Sequence, residues 1–154
     1  NQLSAAASST RGLFGGGVNT NLIEFVTIAT GGDAVDFGNL INEKWMGDGG
    51  LSSSTRALFA GGYTPGAILA SIDYVTIATL GNAQDFGDLT DARQQIASTS
   101  SLTRGVVSGG EAPSISNIIE YVTIASLGDA NGFGDLTVAR RGHVGFSDVH
   151  GGLG

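Results

Sequence analysis

The chain has 154 residues, the size of one ordinary domain, and its 41% hydrophobic content is enough apolar material for a core. A formal net charge of −7 argues against binding to a nucleic-acid backbone, and the absence of cysteine excludes disulfides and thiol chemistry. Glycine is abundant, at 26 residues, but has no G-X-Y period, which excludes collagen and predicts many tight turns.

One segment occurs three times and organises the sequence. Residues 74–90 read YVTIATLGNAQDFGDLT, and residues 25–41 and 121–137 are its other copies. A phenylalanine near the end of each copy recurs at intervals of 49 and 47 residues. A period of this length indicates stacked units of supersecondary structure. The approximate units are 1–46, 47–94 and 95–141, followed by a partial fourth unit at 142–154.

Each unit is predicted to contain four short strands. The first is a run of small residues, the second begins at an arginine, the third contains V-T-I and the fourth is centred on the phenylalanine. Short strands between glycine turns indicate an all-β fold, and four strands per unit indicate a propeller blade. The predicted strands are 3–8, 11–14, 23–30 and 37–40; 45–51, 56–60, 72–79 and 86–89; 95–100, 104–108, 119–126 and 133–136; and 142–147.

The third strand is apolar on both faces. In the second unit, Ile72 and Tyr74 point to one side, whereas Asp73, Val75 and Ile77 point to the other. A strand of this kind must be covered on both faces. We therefore expect the sheet of each unit to stack against the sheets of its neighbours.

The landmarks of each unit follow one order, which in the second unit is Arg56, Leu58-Phe59, Gly61-Gly62, Asp73-Tyr74, Phe86 and Ala92-Arg93. This order resembles the kelch repeat. Phenylalanine stands where kelch repeats usually have tryptophan. The sequence pattern YVTIAT…GNA…DFGDLT…AR is similar to repeats in predicted tail or fibre proteins of marine tailed phages. The resemblance implies a kelch-like β-propeller with three four-stranded blades of about 47 residues per chain.

Three blades are too few for a closed propeller. The chain begins with Asn1 and its fourth unit is partial, so we read it as units cut out of register with the sheets. Propellers close with about 4–8 blades, and an open arc would expose apolar blade faces. We expect further blades from missing chain or from a second copy, and a symmetric dimer with about six blades is the first choice.

Recurring acids and arginines predict structural ion pairs. The acids precede the aromatic residue of each third strand, and the arginines begin each second strand. We expect them to pair, because arginine suits ion pairs at packed interfaces. A ring of carboxylates around a central channel is the alternative. The acids are Glu24, Asp73 and Glu120, and the arginines are Arg11, Arg56 and Arg104.

The sequence predicts no catalytic group, metal or cofactor. The Asp- and Asn-rich turns before each fourth strand resemble a calcium loop, but calcium takes about six to eight oxygens and each turn offers two or three carboxylates. We expect these side chains to form hydrogen bonds in the turns. His143 and His150 have no second ligand at metal-binding spacing, and no serine lies in a G-x-S-x-G elbow.

The loop between the second and third strands is the candidate binding surface. Its copies at 18–22, 63–71 and 111–117 vary in length on an otherwise constant scaffold, and binding residues tend to lie on such loops. Tolerated insertion without a ligand is the other interpretation. The candidate ligand-binding residues are Asn19, Asn21, Tyr63 and Glu111.

The segment 42–47 departs from the repeat. It is one residue longer than its counterparts and contains Trp45 and Met46. Two interpretations remain open, namely sequence drift and contact of this blade with another molecule.

These observations lead to a hypothesis about function. We expect a non-enzymatic phage tail or fibre module, in the virion or outside the cell, that binds the host surface or a neighbouring virion protein. The alternative is a secreted or cell-surface carbohydrate-binding propeller of bacterial origin. A glycosidase-like enzyme is a third interpretation, and it requires two carboxylates about 5–9.5 Å apart across a pocket. We expect no nucleic acid as partner and no membrane insertion, since no run reaches roughly 20 apolar residues.

Overall fold

The computed structural model describes residues 3–47 and 49–147. Over these residues the chain forms fourteen strands and no helix, which confirms the predicted all-β fold. Twelve strands make three four-stranded antiparallel sheets, one per repeat, and the other two make a short hairpin. The sheets do not close into a barrel or ring within the described part of the chain.

The strands of each sheet follow chain order from one edge to the other. Sheet 1 contains β1 (Ser4–Ala7), β2 (Arg11–Gly15), β3 (Leu22–Thr27) and β4 (Val35–Asn39). Sheet 2 contains β5 (Gly50–Ser52), β6 (Arg56–Ala60), β9 (Ser71–Thr76) and β10 (Gln84–Asp88). Sheet 3 contains β11 (Ala97–Ser100), β12 (Arg104–Ser108), β13 (Ile118–Thr123) and β14 (Asn131–Asp135).

Strand ends shift by a few residues from the prediction, most of all at β5, which covers Gly50–Ser52 and not 45–51. Two further details differ. A hairpin of β7 (Tyr63–Thr64) and β8 (Ala67–Ile68) forms inside the second loop. Pro65 and Gly66, with φ of +100° at the glycine, have the residue types that a type II turn needs. The predicted strand at 142–147 is wrong, because this segment has no antiparallel ladder in the described residues. Residues 148–154, including His150, lie outside the described residues.

The first two strands of every sheet are joined by the same serine turn. The serine side chain accepts the backbone N–H of the arginine three residues later, at 3.1, 3.2 and 3.1 Å in sheets 1, 2 and 3. Serine forms such local bonds readily, and they fix the chain reversal. The three serines are Ser8, Ser53 and Ser101.

A bulge in each fourth strand explains the recurring Phe-Gly pair. In sheet 2, Asp85 pairs with Asp73 and Gly87 pairs with Ile72, so Phe86 is the extra residue of the bulge. Gly87 has a φ of +143°, which favours glycine. The bulge directs the phenylalanine into the core, where Phe86 is 2% exposed.

Two hydrophobic cores form between consecutive sheets. We call the face of a sheet that packs against the preceding sheet its front face, and the opposite face its back face. On β9, Val75 lies on the front face, in the core shared with sheet 1, and Ile72 lies on the back face, in the core shared with sheet 3. The predicted two-sided coverage of the third strand is confirmed for sheet 2, which has another sheet on each side.

The first strands lie side by side, and their small residues allow close contact. A Cβ added to Gly50 of β5 would lie 1.9 Å from the carbonyl oxygen of Ala5 on β1. On the other side, the Ser98 hydroxyl of β11 donates to the Gly50 carbonyl at 2.6 Å. Small side chains are therefore required where these strands meet.

Candidate functional site

A buried ion pair joins each sheet to the next. Lys44, in the linker after sheet 1, places its Nζ 2.9 Å from Oδ1 of Asp73 on β9, and both side chains are fully buried. Arg93, in the linker after sheet 2, pairs in the same way with Glu120 on β13. Burial lowers the pKa of Lys44, and the attraction and hydrogen bond of Asp73 oppose that shift. These charges are enclosed between sheets, so they belong to the junctions of the scaffold and do not face a ligand.

The predicted pairing of these acids with the second-strand arginines is wrong. In the antiparallel register Arg56 lies opposite Thr76, whereas Asp73 lies opposite Phe59. The acid and the guanidinium therefore sit at different positions along the strand pair, and the same offset separates Arg104 from Glu120 in sheet 3. Glu24, the counterpart of these acids in sheet 1, is exposed.

The sequence contained a signal for the true partners. A basic residue follows the phenylalanine of each unit by seven positions, as Lys44, Arg93 and Arg140. The first of these lies in the segment 42–47, whose other residues differ from those of the other units and conceal the repeat of the basic position. The carboxylate-ring alternative is also wrong for Asp73 and Glu120, since both are buried in the sheet junctions.

Each second-strand arginine stacks on an aromatic ring of its own sheet. The guanidinium carbon lies 4.7, 5.0 and 4.6 Å from the ring centroid in sheets 1, 2 and 3, within the range of cation–π contact. The stacked pairs are Arg11 with Phe25, Arg56 with Tyr74 and Arg104 with Tyr121.

Two of these arginines also reach the following sheet. Arg11 donates through Nη1 to the carbonyl oxygen of Ile77 at 2.7 Å, and Arg56 donates to that of Ile124 at 2.9 Å. The arginines therefore fasten neighbouring sheets, as the stacked arrangement requires, although they do so without a carboxylate partner.

The variable loops of sheets 2 and 3 meet the linkers between sheets at one edge of the molecule. Tyr63 and Trp45 exchange backbone hydrogen bonds of 2.8 Å, and Glu111 and Gln94 exchange bonds of 3.0 and 3.2 Å. Arg141 forms an ion pair with Glu111. These five residues are the loop surface.

The predicted binding residues divide between this surface and the loop of sheet 1. Tyr63 and Glu111 belong to the loop surface. Asn19 is exposed at a φ of +59°, a left-handed conformation that asparagine tolerates. Asn21 donates through Nδ2 to the carbonyl oxygen of Leu40 at 3.2 Å, so it helps to hold the linker after sheet 1.

Three residues of the loop surface, Trp45, Gln94 and Arg141, are not among the predicted binding residues, and Trp45 is the aromatic one. Its ring lies 5.0 Å from that of Tyr63, tilted by 42°, and both side chains are half-buried. Part of each side chain thus remains open to an incoming molecule. The signals available were its status as the chain's single tryptophan and the extra residue in its linker.

A concavity lies along β1, β5 and β11, the first strands of the three sheets. Its volume is about 310 Å³, and small residues such as Ala5, Gly50 and Ser98 line it. No acidic, basic or histidine side chain is among its lining residues. It therefore offers shape and hydroxyl groups but no group for acid–base catalysis.

The polar side chains of the third-to-fourth-strand turns connect sheets. Oδ1 of Asn82 accepts the backbone N–H of Asn39 at 3.1 Å, and Oδ1 of Asp129 accepts that of Asp88 at 3.0 Å. Within residues 3–47 and 49–147, no three acidic or histidine side chains are grouped as a metal site. His143 lies 3.2 Å from the Ser108 hydroxyl through Nε2.

The described part of the chain contains no helix long and apolar enough to cross a membrane. In sequence comparisons, no protein-family model and no curated protein matches the chain.

Proposed function

We propose that this chain is a non-enzymatic structural and binding module of a phage tail or fibre, built as part of a kelch-like β-propeller. The repeated junctions support the scaffold role, because the ion pair and the arginine bond have the same form between sheets 1 and 2 and between sheets 2 and 3. The variable loops support the binding role, since their length changes while the sheets remain alike.

The observation that carries the binding role is the contact of Trp45 with Tyr63. Tryptophan and tyrosine combine an apolar ring with a polar group, which suits them to stack on a sugar ring while forming a hydrogen bond. Gln94 and Glu111 add amide and carboxylate groups to the same surface. We therefore assign the loop surface to a glycan or protein of the host surface, or to a neighbouring virion protein.

A non-enzymatic role agrees with the surroundings of three of the acids. Asp73 and Glu120 are enclosed in ion pairs, and Glu111 is bound by Arg141. A glycosidase needs two carboxylates facing one another across an open pocket. We propose no cofactor and no metal for this module.

A glycan array tests the loop surface directly. We expect the wild-type protein to bind a subset of surface glycans, and Trp45→Ala or Tyr63→Ala to reduce that signal by about tenfold or more, because aromatic anchors dominate such contacts. Leu102→Ala is the control, because this exposed residue lies in the turn before β12, at the opposite end of that strand from the variable loop, and the variant should retain binding. Equal binding by all variants would contradict the assignment of the site.

The gene neighbourhood separates the virion from the bacterial cell surface. We expect genes for other virion proteins beside this one, which places the product in the virion. A neighbourhood of cell-envelope genes would instead favour a secreted or cell-surface carbohydrate-binding propeller.

A further inference from the structure

The two outer faces of the stack are uncovered, although their counterparts inside it are buried. Phe133 on the back face of sheet 3 is 57% exposed, whereas Phe37 and Phe86 are 2% exposed at the internal junctions. On the front face of sheet 1, Ile28 is 56% exposed, whereas its counterpart Ile77 is 2% exposed. Each outer face therefore presents apolar surface that the repeat normally covers.

The charges of the two faces are complementary. Arg140 holds the position of Lys44 and Arg93, after sheet 3, and it is exposed. Glu24 holds the position of Asp73 and Glu120, on β3, and it is exposed too. The outer faces thus carry the two halves of the ion pair that joins every internal junction.

The hydrogen-bonding groups are complementary as well. At the internal junctions, the carbonyl oxygen of the bulge phenylalanine accepts a glycine N–H at 2.9 Å, and the arginine donates to an isoleucine carbonyl. On the outer faces, the donor and the acceptor of each such bond lie at opposite ends of the stack. Sheet 3 offers the Phe133 carbonyl and the Arg104 guanidinium, and sheet 1 offers the Gly32 N–H and the Ile28 carbonyl.

We propose that the back face of sheet 3 binds the front face of sheet 1 of a second copy of this chain, with Arg140 paired to Glu24. The occupant follows from charge complementarity and from continuity with the two junctions already present in the chain. When two copies close in this way, both outer faces of each chain are used. The contact between Arg140 and Glu24 then occurs twice, and a twofold axis relates the two contacts. This inference does not depend on what the loop surface binds.

One segment of the same chain competes for part of this interface. Residues 145–147 lie against β11 as β11 lies against β5. They occupy the place that Ser4–Ala7 of the second copy would take. A Cβ added to Gly145 would lie 2.0 Å from the carbonyl oxygen of Ser98. The variant Gly145→Val should release this segment and strengthen association.

The first test is the mass of the full chain in solution, by light scattering and sedimentation over a wide range of concentrations. We expect dimers or larger head-to-tail assemblies, and a monomer at every concentration would overturn the proposal. Glu24→Arg and Arg140→Glu should each weaken self-association by about tenfold or more, because like charges then meet at the junction. Both residues are exposed, so the fold should be retained, as circular dichroism would verify.

Mixing the two charge variants gives the decisive result. Glu24→Arg has two basic faces and Arg140→Glu has two acidic faces, so each should remain monomeric alone and the mixture should assemble. Failure of the mixture to assemble, with both variants folded, would overturn the pairing of these residues. Glycan binding is measured separately, so a negative result here leaves the proposed function to its own test.

A steric variant probes the same interface without changing charge. A Cβ added to Gly134 meets nothing within 4 Å, whereas one added at the equivalent Gly38 lies 2.4 Å from the carbonyl oxygen of Gly81 in the next sheet. Gly134→Ala should therefore weaken self-association and leave a folded monomer. Unchanged assembly of this variant would contradict an interface that repeats the internal junctions.

Discussion

Lys44 and Asp73 form an ion pair that is fully buried between two sheets, with Nζ 2.9 Å from Oδ1. The pair is completed by the backbone: the N–H of Ile41 donates to Oδ2 of Asp73 at 2.9 Å, and Nζ of Lys44 lies 3.4 Å from the carbonyl oxygen of Phe59. Removing two charges from water is unfavourable, so the pair is tolerated because its remaining hydrogen-bonding groups are satisfied.

Replacing one member of this pair should be costly. Lys44→Met leaves the Asp73 carboxylate buried without its cation, and we expect a loss of about 3–5 kcal/mol in the free energy of unfolding. The double variant Lys44→Met/Asp73→Leu should recover much of that loss. Lys44→Arg is the control, because Arg93 fills the equivalent site. Urea denaturation measures all three, and additive losses in the double variant would contradict the coupling.

The same lysine should make stability depend on pH in alkaline solution. Burial lowers its pKa in the folded chain, so between that value and its unfolded pKa near 10.4 the unfolded chain binds more protons. Stability therefore rises with pH through this window, and the penalty for burying the charged lysine is fully present below it. The Lys44→Arg variant should lack this rise. Denaturant midpoints of both proteins at several alkaline pH values test the difference.

Alanine at the bulge glycines should distinguish internal junctions from an outer face. Gly87 and Gly134 have φ values of +143° and +153°, so alanine is strained at both. A Cβ at Gly87 would lie 2.6 Å from backbone atoms of Gly128, whereas a Cβ at Gly134 has no close neighbour. We expect Gly87→Ala to cost about 1–3 kcal/mol more than Gly134→Ala. Thermal unfolding at low protein concentration measures this, and equal losses would show that the contact between sheets is not tight.

The contribution of the arginine hydrogen bond between sheets to stability can be measured by comparing two matched arginine variants. Arg56 and Arg104 both stack on a tyrosine, but Arg56 also donates to the carbonyl oxygen of Ile124 in the next sheet. Arg56→Ala should therefore destabilise the chain by about 1.5–3 kcal/mol more than Arg104→Ala. Equilibrium unfolding of both variants at low protein concentration, where the chain is monomeric and Arg104 has no second copy to bind, gives the comparison. A larger loss for Arg104→Ala would contradict the fastening role.

The strand content and repeat of this protein could be read from the sequence because they depend on local patterns. The two-sided apolar strand around Val75 predicted stacking on both faces, and serine turns and glycine bulges are local in origin. Strand ends shifted by a few residues, since pairing with a neighbour decides where a ladder stops. The Tyr63–Ile68 hairpin also depends on a short turn, but its strands were hidden within a loop assigned as irregular.

The partners of the charged residues depended on the tertiary structure. The sequence suggested that Arg56 and Asp73 pair within one unit. The strand register puts them at different positions along the strand pair, and the Asp73 carboxylate instead pairs across the junction with Lys44 of the preceding unit. The contact of Trp45 with Tyr63 has the same origin, because linker and loop belong to different units and meet only when sheets stack. The sequence by itself determined the repeated all-β scaffold, because periodicity and turn chemistry act over a few residues. Only the tertiary structure decided which side chains meet between units, because those contacts depend on register and on how one sheet packs on another.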